Sequence, residues 1–264
     1  MPQPIANIQA LHRSNLPDGQ KEKMLYLGVI VCAALLAAMV YRYDLYDREP
    51  VLLLALAFAG GYGLMYSLGF LEDYSLDLLS IGYDDFAGQA MVASTHEEIA
   101  KMILVVLIAF IFRRHFNDPM DGLVYGSFVG LGAGLCESVF YLSLVSDPSP
   151  FLIGTEAVRL ILHLLFGGLT GFGVGAACLQ FKAWPAFLIA WVAASMTLHF
   201  CWDYWLGIPI ANGMEPPVDP RITAVILMLG AIGAFALTII LGSSWSRAKF
   251  APDSQHSVWG WPFC

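Results

Sequence analysis

Eight of the ionisable residues inside largely apolar stretches of sequence stand out: Glu97, Glu98 and Lys101, then Glu137, then Arg159 and His163, then His199 and Asp203. A charge at the centre of a membrane-crossing helix costs about 2.5–3.5 kcal/mol on insertion scales, so such residues face a cavity or a partner and mark function. Two histidines with several carboxylates can hydrolyse an amide or ester. Neutral imidazoles and a carboxylate hold a zinc ion, an open position holds water, and a free glutamate takes its proton. The candidate ligands are His163, His199 and Glu137, with Asp203 either a fourth ligand or the partner that orients His199. Glu97 and Glu98 are then the general base and its neighbour. A metal-free version uses the same residues, one glutamate activating water while the histidines stabilise an oxyanion. The residues alone leave both open. Lys101 and Arg159 take supporting roles, Lys101 pairing with Glu98 and Arg159 neutralising a neighbouring acid.

Spacing sorts these residues further. Glu97 and Lys101, Arg159 and His163, and His199 and Asp203 are each four apart, which puts each pair on one face of a helix. Counted at 1.5 Å per residue from the side whose loops lack Lys and Arg, Glu97, Glu137, His163 and His199 all lie roughly 9 to 17 Å deep. Residues scattered for structural reasons have no cause to align in this way.

The elements that must position them are membrane helices. Of 264 residues, 58% are hydrophobic and 13% charged, with a mean hydropathy of +0.67, far more apolar than a soluble domain needs. Seven stretches approach the roughly 20 residues that cross a hydrocarbon core: 24 to 41, 51 to 71, 90 to 112, 120 to 145, 152 to 180, 184 to 206 and 222 to 242. The expected fold is therefore all-α, a polytopic transmembrane bundle of about seven, or eight, spans. Residues 1–23 form a polar tail with no cleaved-signal pattern, 24–242 the membrane domain and 243–264 a C-terminal tail. Asp118-Pro119 suits a helix start, Pro148 and Pro150 break the chain, and Pro216, Pro217 and Pro220 precede the last span. Arg42, Arg48, Arg113, Arg114, Lys182, Arg247 and Lys249 fall on one side, the cytoplasmic one by the positive-inside rule. The loops at 72 to 89 and 146 to 151 carry neither Lys nor Arg. Arg13, Lys21 and Lys23 in the N-terminal tail break the pattern.

Other features read as structural. Gly122, Gly126, Gly130 and Gly134 recur every four residues, as do Gly167, Gly171 and Gly175, and small faces of this kind let helices pack closely. Asp121 in a first turn suits the helix dipole. His96 is unassigned, and His12, His115 and His256 lie outside the spans. The five cysteines form no CxxC pair, and four fall in apolar spans as small packing residues. A net charge of -8 gives a nucleic-acid partner no electrostatic footprint. The zinc motif HExxH fails, because His96-Glu97-Glu98-Ile99-Ala100 lacks the second histidine. No GxSG or GxGD motif occurs in a span.

Glu97-Glu98-Ile99-Ala100-Lys101 resembles the EExxK motif of the PrsW family of intramembrane proteases, relatives of the CAAX prenyl proteases. Asp121-Gly122 with Gly126, Gly130 and Gly132 leads to Glu137, Arg159 to His163 follows, and His199-Phe200-Cys201-Trp202-Asp203 is similar to HxxWD. The resemblance covers residues 95–205. It implies a peptidase of the bacterial cytoplasmic membrane that cuts membrane-protein substrates such as an anti-sigma factor, with the glutamate pair and the two motif histidines as its core. Ser138 stands where the family usually has Asn, and its members are usually drawn with eight spans.

Two other classes use similar residues: a ceramidase-like lipid hydrolase, and a transporter or proton relay in which Glu97, Glu98 and Lys101 move charge. No inverted repeat or pair of broken helices supports the transporter.

Overall fold

Long apolar runs without proline leave the backbone one way to satisfy its polar groups in lipid, the helix. The computed structural model describes residues 18–43, 48–82, 84–144, 152–178, 184–211, 214–216 and 218–250, and all its regular elements are helices. These are α1 (Asp18–Tyr43), α2 (Val51–Leu79), α3 (Phe86–Ile111), α4 (Pro119–Ser143), α5 (Leu152–Cys178), α6 (Trp184–Trp202), a π-helical turn (Asp203–Gly207), the short α7 (Ile208–Ala211) and α8 (Pro220–Phe250). His12, Arg13, Pro148, Pro150, Lys182, Pro217, His256 and Cys264 lie outside the described residues. Cys32, Cys136, Cys178 and Cys201 are free thiols; Cys136 is buried, Cys32 and Cys201 are half-buried, and Cys178 is exposed.

Among the described residues six helices are long and apolar enough to cross a membrane: α1, α2, α4, α5, the α6–α7 run and α8. The remaining long helix, α3, has 26 residues, about 39 Å at 1.5 Å per residue. It carries Glu97, Glu98 and Lys101 at its middle, all buried. One boundary differs from expectation in a way that matters. The second span was expected to end at residue 71, with 72 to 89 as a loop, but α2 continues to Leu79. The acids Glu72 and Asp73 end the apolar run without ending the helix, because no glycine or proline follows until Gly82. The helix stops at Ser80, whose φ of 55° puts it in the left-handed region, and Asp85 caps α3 by accepting from the Gly88 N–H at 2.9 Å.

The bundle is built around α4 and α5. In their most apolar windows 78% and 89% of residues are buried, against 17–22% for the other candidate spans, so these two helices are the core and the others present side chains outward. The glycine faces explain why α4 and α5 come so close. A Cβ on Gly126 would collide with the Gly167 carbonyl oxygen, and one on Gly130 with the His163 carbonyl oxygen. Gly61 of α2 meets the Val129 carbonyl in the same way, which seats α2 on the opposite face of α4. Asp118 accepts from the Met120 N–H at 2.6 Å and Asp121 from the Asp118 N–H at 2.8 Å, closing a capping box with Pro119 in the first turn. Asp121 is thus the structural residue its position in the sequence indicates.

Candidate active site

The glycine seam delivers His163 to the site. Gly134 lies against the His163 side chain, where an added Cβ would sit 3.0 Å from its Cβ and 3.2 Å from its Cγ. Only a residue without a side chain lets the imidazole pass α4, and Glu137 follows one turn further on the same helix. His163 Nε2 lies 2.6 Å from Glu137 Oε2. The other ring nitrogen, Nδ1, is 3.1 Å from the Lys101 ammonium, which can only donate. Nδ1 therefore accepts, and the ring proton sits on Nε2 and is donated to Glu137.

His199 is held by the same device on the other side. Its Nδ1 donates to Glu98 Oε1 at 3.0 Å, so Nε2 points toward Glu97 Oε2 at 3.9 Å and Asp203 Oδ2 at 3.3 Å. Phe166 stacks on its ring at a centroid distance of 5.1 Å and fixes the plane. The two imidazoles meet edge to face with centroids 5.5 Å apart. Each histidine thus gives its outer N–H to a carboxylate and turns its other nitrogen inward, the arrangement that orients metal-ligating imidazoles.

Glu97 faces both histidines, its Oε2 being 3.6 Å from His163 Nδ1 and 3.9 Å from His199 Nε2. Single donor atoms of Glu97, His163 and His199, from three helices, all lie within 4.8 Å of one another. Tetrahedral bonds of 2.0–2.1 Å would put ligand atoms about 3.3 Å apart, so small shifts bring these donors onto one ion. The donor set fits zinc.

The remaining acids are occupied. Glu98 is fully buried and accepts from Lys101 at 2.8 Å, His199, Thr170 at 3.0 Å and Ser195 at 2.7 Å. Arg159 reaches Glu137 Oε1 and donates to Glu156 at 2.9 Å, with its guanidinium 4.2 Å above the Tyr141 ring. Lys101 also donates to Glu97 Oε2 at 3.2 Å. The structure therefore gathers all eight sequence-selected residues into one network. Within it, Glu97 sits with the histidines in the position expected of Glu137, while Glu137 and Glu98 hold the histidines from behind. Ser138 is buried, its hydroxyl has no hydrogen-bond partner, and it takes no part.

Side-chain exposure shows where the site opens. Glu97, His163 and His199 are at most 5% exposed, whereas Glu137 is 19% and Asp203 16% exposed. Asp203 begins the π-helical turn, a local widening common at functional sites, which shifts the register after His199. Several residues of the network were not among the eight: Glu156 holds Arg159, and Thr170 and Ser195 hold Glu98. His96, at 2.7 Å from the Val92 carbonyl and 3.2 Å from Ser75, ties α3 to α2. One turn back from Ser75 on α2 stands Glu72, partly buried, its Oε1 without a hydrogen-bond partner among the described residues. It stood just past the expected span end. The missing breaker before Gly82 was the signal that could have placed it in the helix.

Buried glutamates and histidines on separate membrane helices, with an opening at one end, are the equipment of a membrane-embedded hydrolase. Residues 49–232 match the family described as PrsW family intramembrane metalloprotease, and the chain belongs to that family. It is 29% identical over 170 residues to Protease PrsW of Bacillus subtilis strain 168, covering 63% of this chain and 75% of that protein. A second Protease PrsW, from Geobacillus kaustophilus strain HTA426, is 28% identical over 179 residues, covering 68% and 77%. That of Clostridioides difficile strain 630 is 25% identical over 132 residues, covering 49% and 56%. No solved structure matches the chain. The protein is an integral membrane peptidase by family, and the six apolar helices agree.

Proposed function

We propose that this chain is a seven-span protease of the bacterial cytoplasmic membrane that hydrolyses peptide bonds of membrane-protein substrates, an anti-sigma factor being one fitting class, at a zinc site made by Glu97, His163 and His199. The observation that carries the reading is the pair of inward-facing histidine nitrogens, each set by a carboxylate behind it, converging on Glu97. α3 completes the seven spans, since its charged residues are buried and paired rather than turned to lipid.

The chain's own residues divide the work. Glu137 and Glu98 hold the histidines in the tautomers that keep an inward lone pair. A bound zinc would supply Lewis-acid polarisation of the scissile carbonyl and acidify a water. Asp203, at the open edge and 3.3 Å from His199 Nε2, takes the proton of the attacking water and returns it to the leaving amine. Lys101 neutralises Glu97 and Glu98 inside the bundle, and Arg159 does the same for Glu137 and Glu156.

One observation favours a second, metal-free reading. The Lys101 ammonium already occupies the space between Glu97, Glu98 and His163 Nδ1, so the carboxylates are partly neutralised without an ion. In that case Glu97 takes the proton of water itself, and His199, carrying a proton on Nε2 as well as on Nδ1, stabilises the oxyanion. Purified wild type and Glu97→Ala, assayed on fluorescein-labelled casein in detergent with bound zinc counted by mass spectrometry, test both. Cleavage lost in the variant with zinc bound to the wild type is expected. Cleavage retained by Glu97→Ala overturns the site.

A further inference from the structure

Peptide hydrolysis inside a bilayer faces a difficulty that hydrolysis in water does not. The scissile carbonyl of a membrane-spanning substrate is engaged in the helix ladder, and it must leave that ladder before attack. Unwinding frees backbone N–H groups in a place where no water compensates them, each at a cost of several kcal/mol. The enzyme must supply acceptors for them.

The acceptors already described are spent. Both oxygens of Glu137 and both of Glu98 hold partners, and Glu97 and Asp203 turn toward the histidines. Glu72 differs. It flanks α3 from α2, its residue surface is partly exposed, and its Oε1 is buried with no hydrogen-bond partner among the described residues. On α2 it stands one turn before Ser75, which contacts His96, the residue next to Glu97 on α3. An unmatched buried acceptor is a cost that a bound donor removes. The His96–Ser75 hydrogen bond holds this end of α2 against α3 one turn away, so the carboxylate is presented from a fixed helix.

We propose that Glu72 is a substrate-contacting residue, its Oε1 accepting a backbone N–H of the unwound substrate segment next to the scissile bond. The inference rests on the protease reading above and adds to it a group that recognises main chain, hence one indifferent to substrate side chains.

The test uses full-length enzyme in detergent micelles with fluorescein-labelled casein as probe. Glu72→Ala leaves no donor orphaned, so it folds and unfolds at the wild-type temperature. It lowers kcat/KM about 10-fold, the worth of one hydrogen bond, mainly through KM. Glu72→Gln, whose amide oxygen still accepts, loses only about 3-fold. The cleaved bond is then mapped, and a peptide spanning it is resynthesised with single backbone N–H groups replaced by N-methyl. At one position the wild type loses the rate that Glu72→Ala has already lost, and the variant loses nothing more. Wild-type kcat/KM in Glu72→Ala overturns the inference, as does an N-methyl penalty equal in both enzymes at every position. Cleavage by Glu97→Ala, or none by the wild type, would overturn the protease reading and this inference with it.

Discussion

His163 of α5 donates its Nε2–H to Glu137 of α4 across 2.6 Å, and this contact decides which nitrogen of the ring faces the site. Glu137→Gln exchanges the acceptor for a group that can also present N–H, which frustrates the Nε2–H tautomer. Activity falls about 10- to 100-fold, and zinc affinity falls by a similar factor, because partners behind a ligand tune it to this extent. Both are measured on one preparation, by casein cleavage and by zinc titration. Unchanged zinc affinity together with unchanged rate would remove Glu137 from its orienting role.

Glu97 and Glu98 are neighbours in sequence but separate on substitution. Glu98 is fully buried under four donors, and Glu98→Ala takes the acceptor from Thr170 and from the His199 Nδ1–H, one of three acceptors from Lys101 and one of two from Ser195. Breaking a buried pair by removing one partner costs about 3 to 5 kcal/mol, so this variant loses stability along with activity. Glu97→Gln keeps the shape, leaves Lys101 its Glu98 partner, and loses cleavage by about 10³-fold or more while melting no lower than the metal-free wild type. His163→Ala behaves as Glu97→Gln does. Thermal unfolding in detergent beside the cleavage assay separates the two classes; equal melting losses in Glu97→Gln and Glu98→Ala would contradict the division.

The sequence exposed most of this arrangement for a physical reason. Charges inside apolar spans are costly enough to stand out one by one, and helical spacing alone puts Glu97 with Lys101 and His199 with Asp203 on shared faces. The motif residues from Glu97 to Asp203 are brought together as the resemblance implies. Which carboxylate faces inward was not legible, because it depends on how helices rotate against each other. Glu137 looks away from the centre because Gly130 and Gly134 admit His163 between it and the site. Glu72 was hidden by a different cause. Hydropathy finds where the apolar run stops, and a helix can outlast it by two turns, as α2 does to Leu79.

The glycine seam can be tested against a control in the same membrane. At Gly126 a Cβ would strike the Gly167 carbonyl, so Gly126→Val forces α4 and α5 apart, lowers the melting temperature and abolishes cleavage. At Gly63 nothing lies within 4 Å of an added Cβ, and Gly63→Ala removes a flexible residue from a helix interior. Its expected effect is neutral to stabilising by up to about 1 kcal/mol with full activity. Equal tolerance at both positions would show that α4 and α5 do not touch along this face.

Metal removal distinguishes the two chemistries that the site can run. If Glu97, His163 and His199 hold zinc, the purified protein carries about one ion per chain, loses activity after EDTA and dialysis, and regains it on adding zinc. Because a site ion binds the folded state alone, its removal also lowers the melting temperature, a readout independent of cleavage. His199→Ala loses the ion and shows no melting response to added zinc. Should the wild type carry no metal and cleave casein in EDTA at its full rate, the Lys101 ammonium is the cation of the site. Lys101→Met then abolishes cleavage, since no other positive group lies as close as 3.2 Å to Glu97 among the described ion pairs.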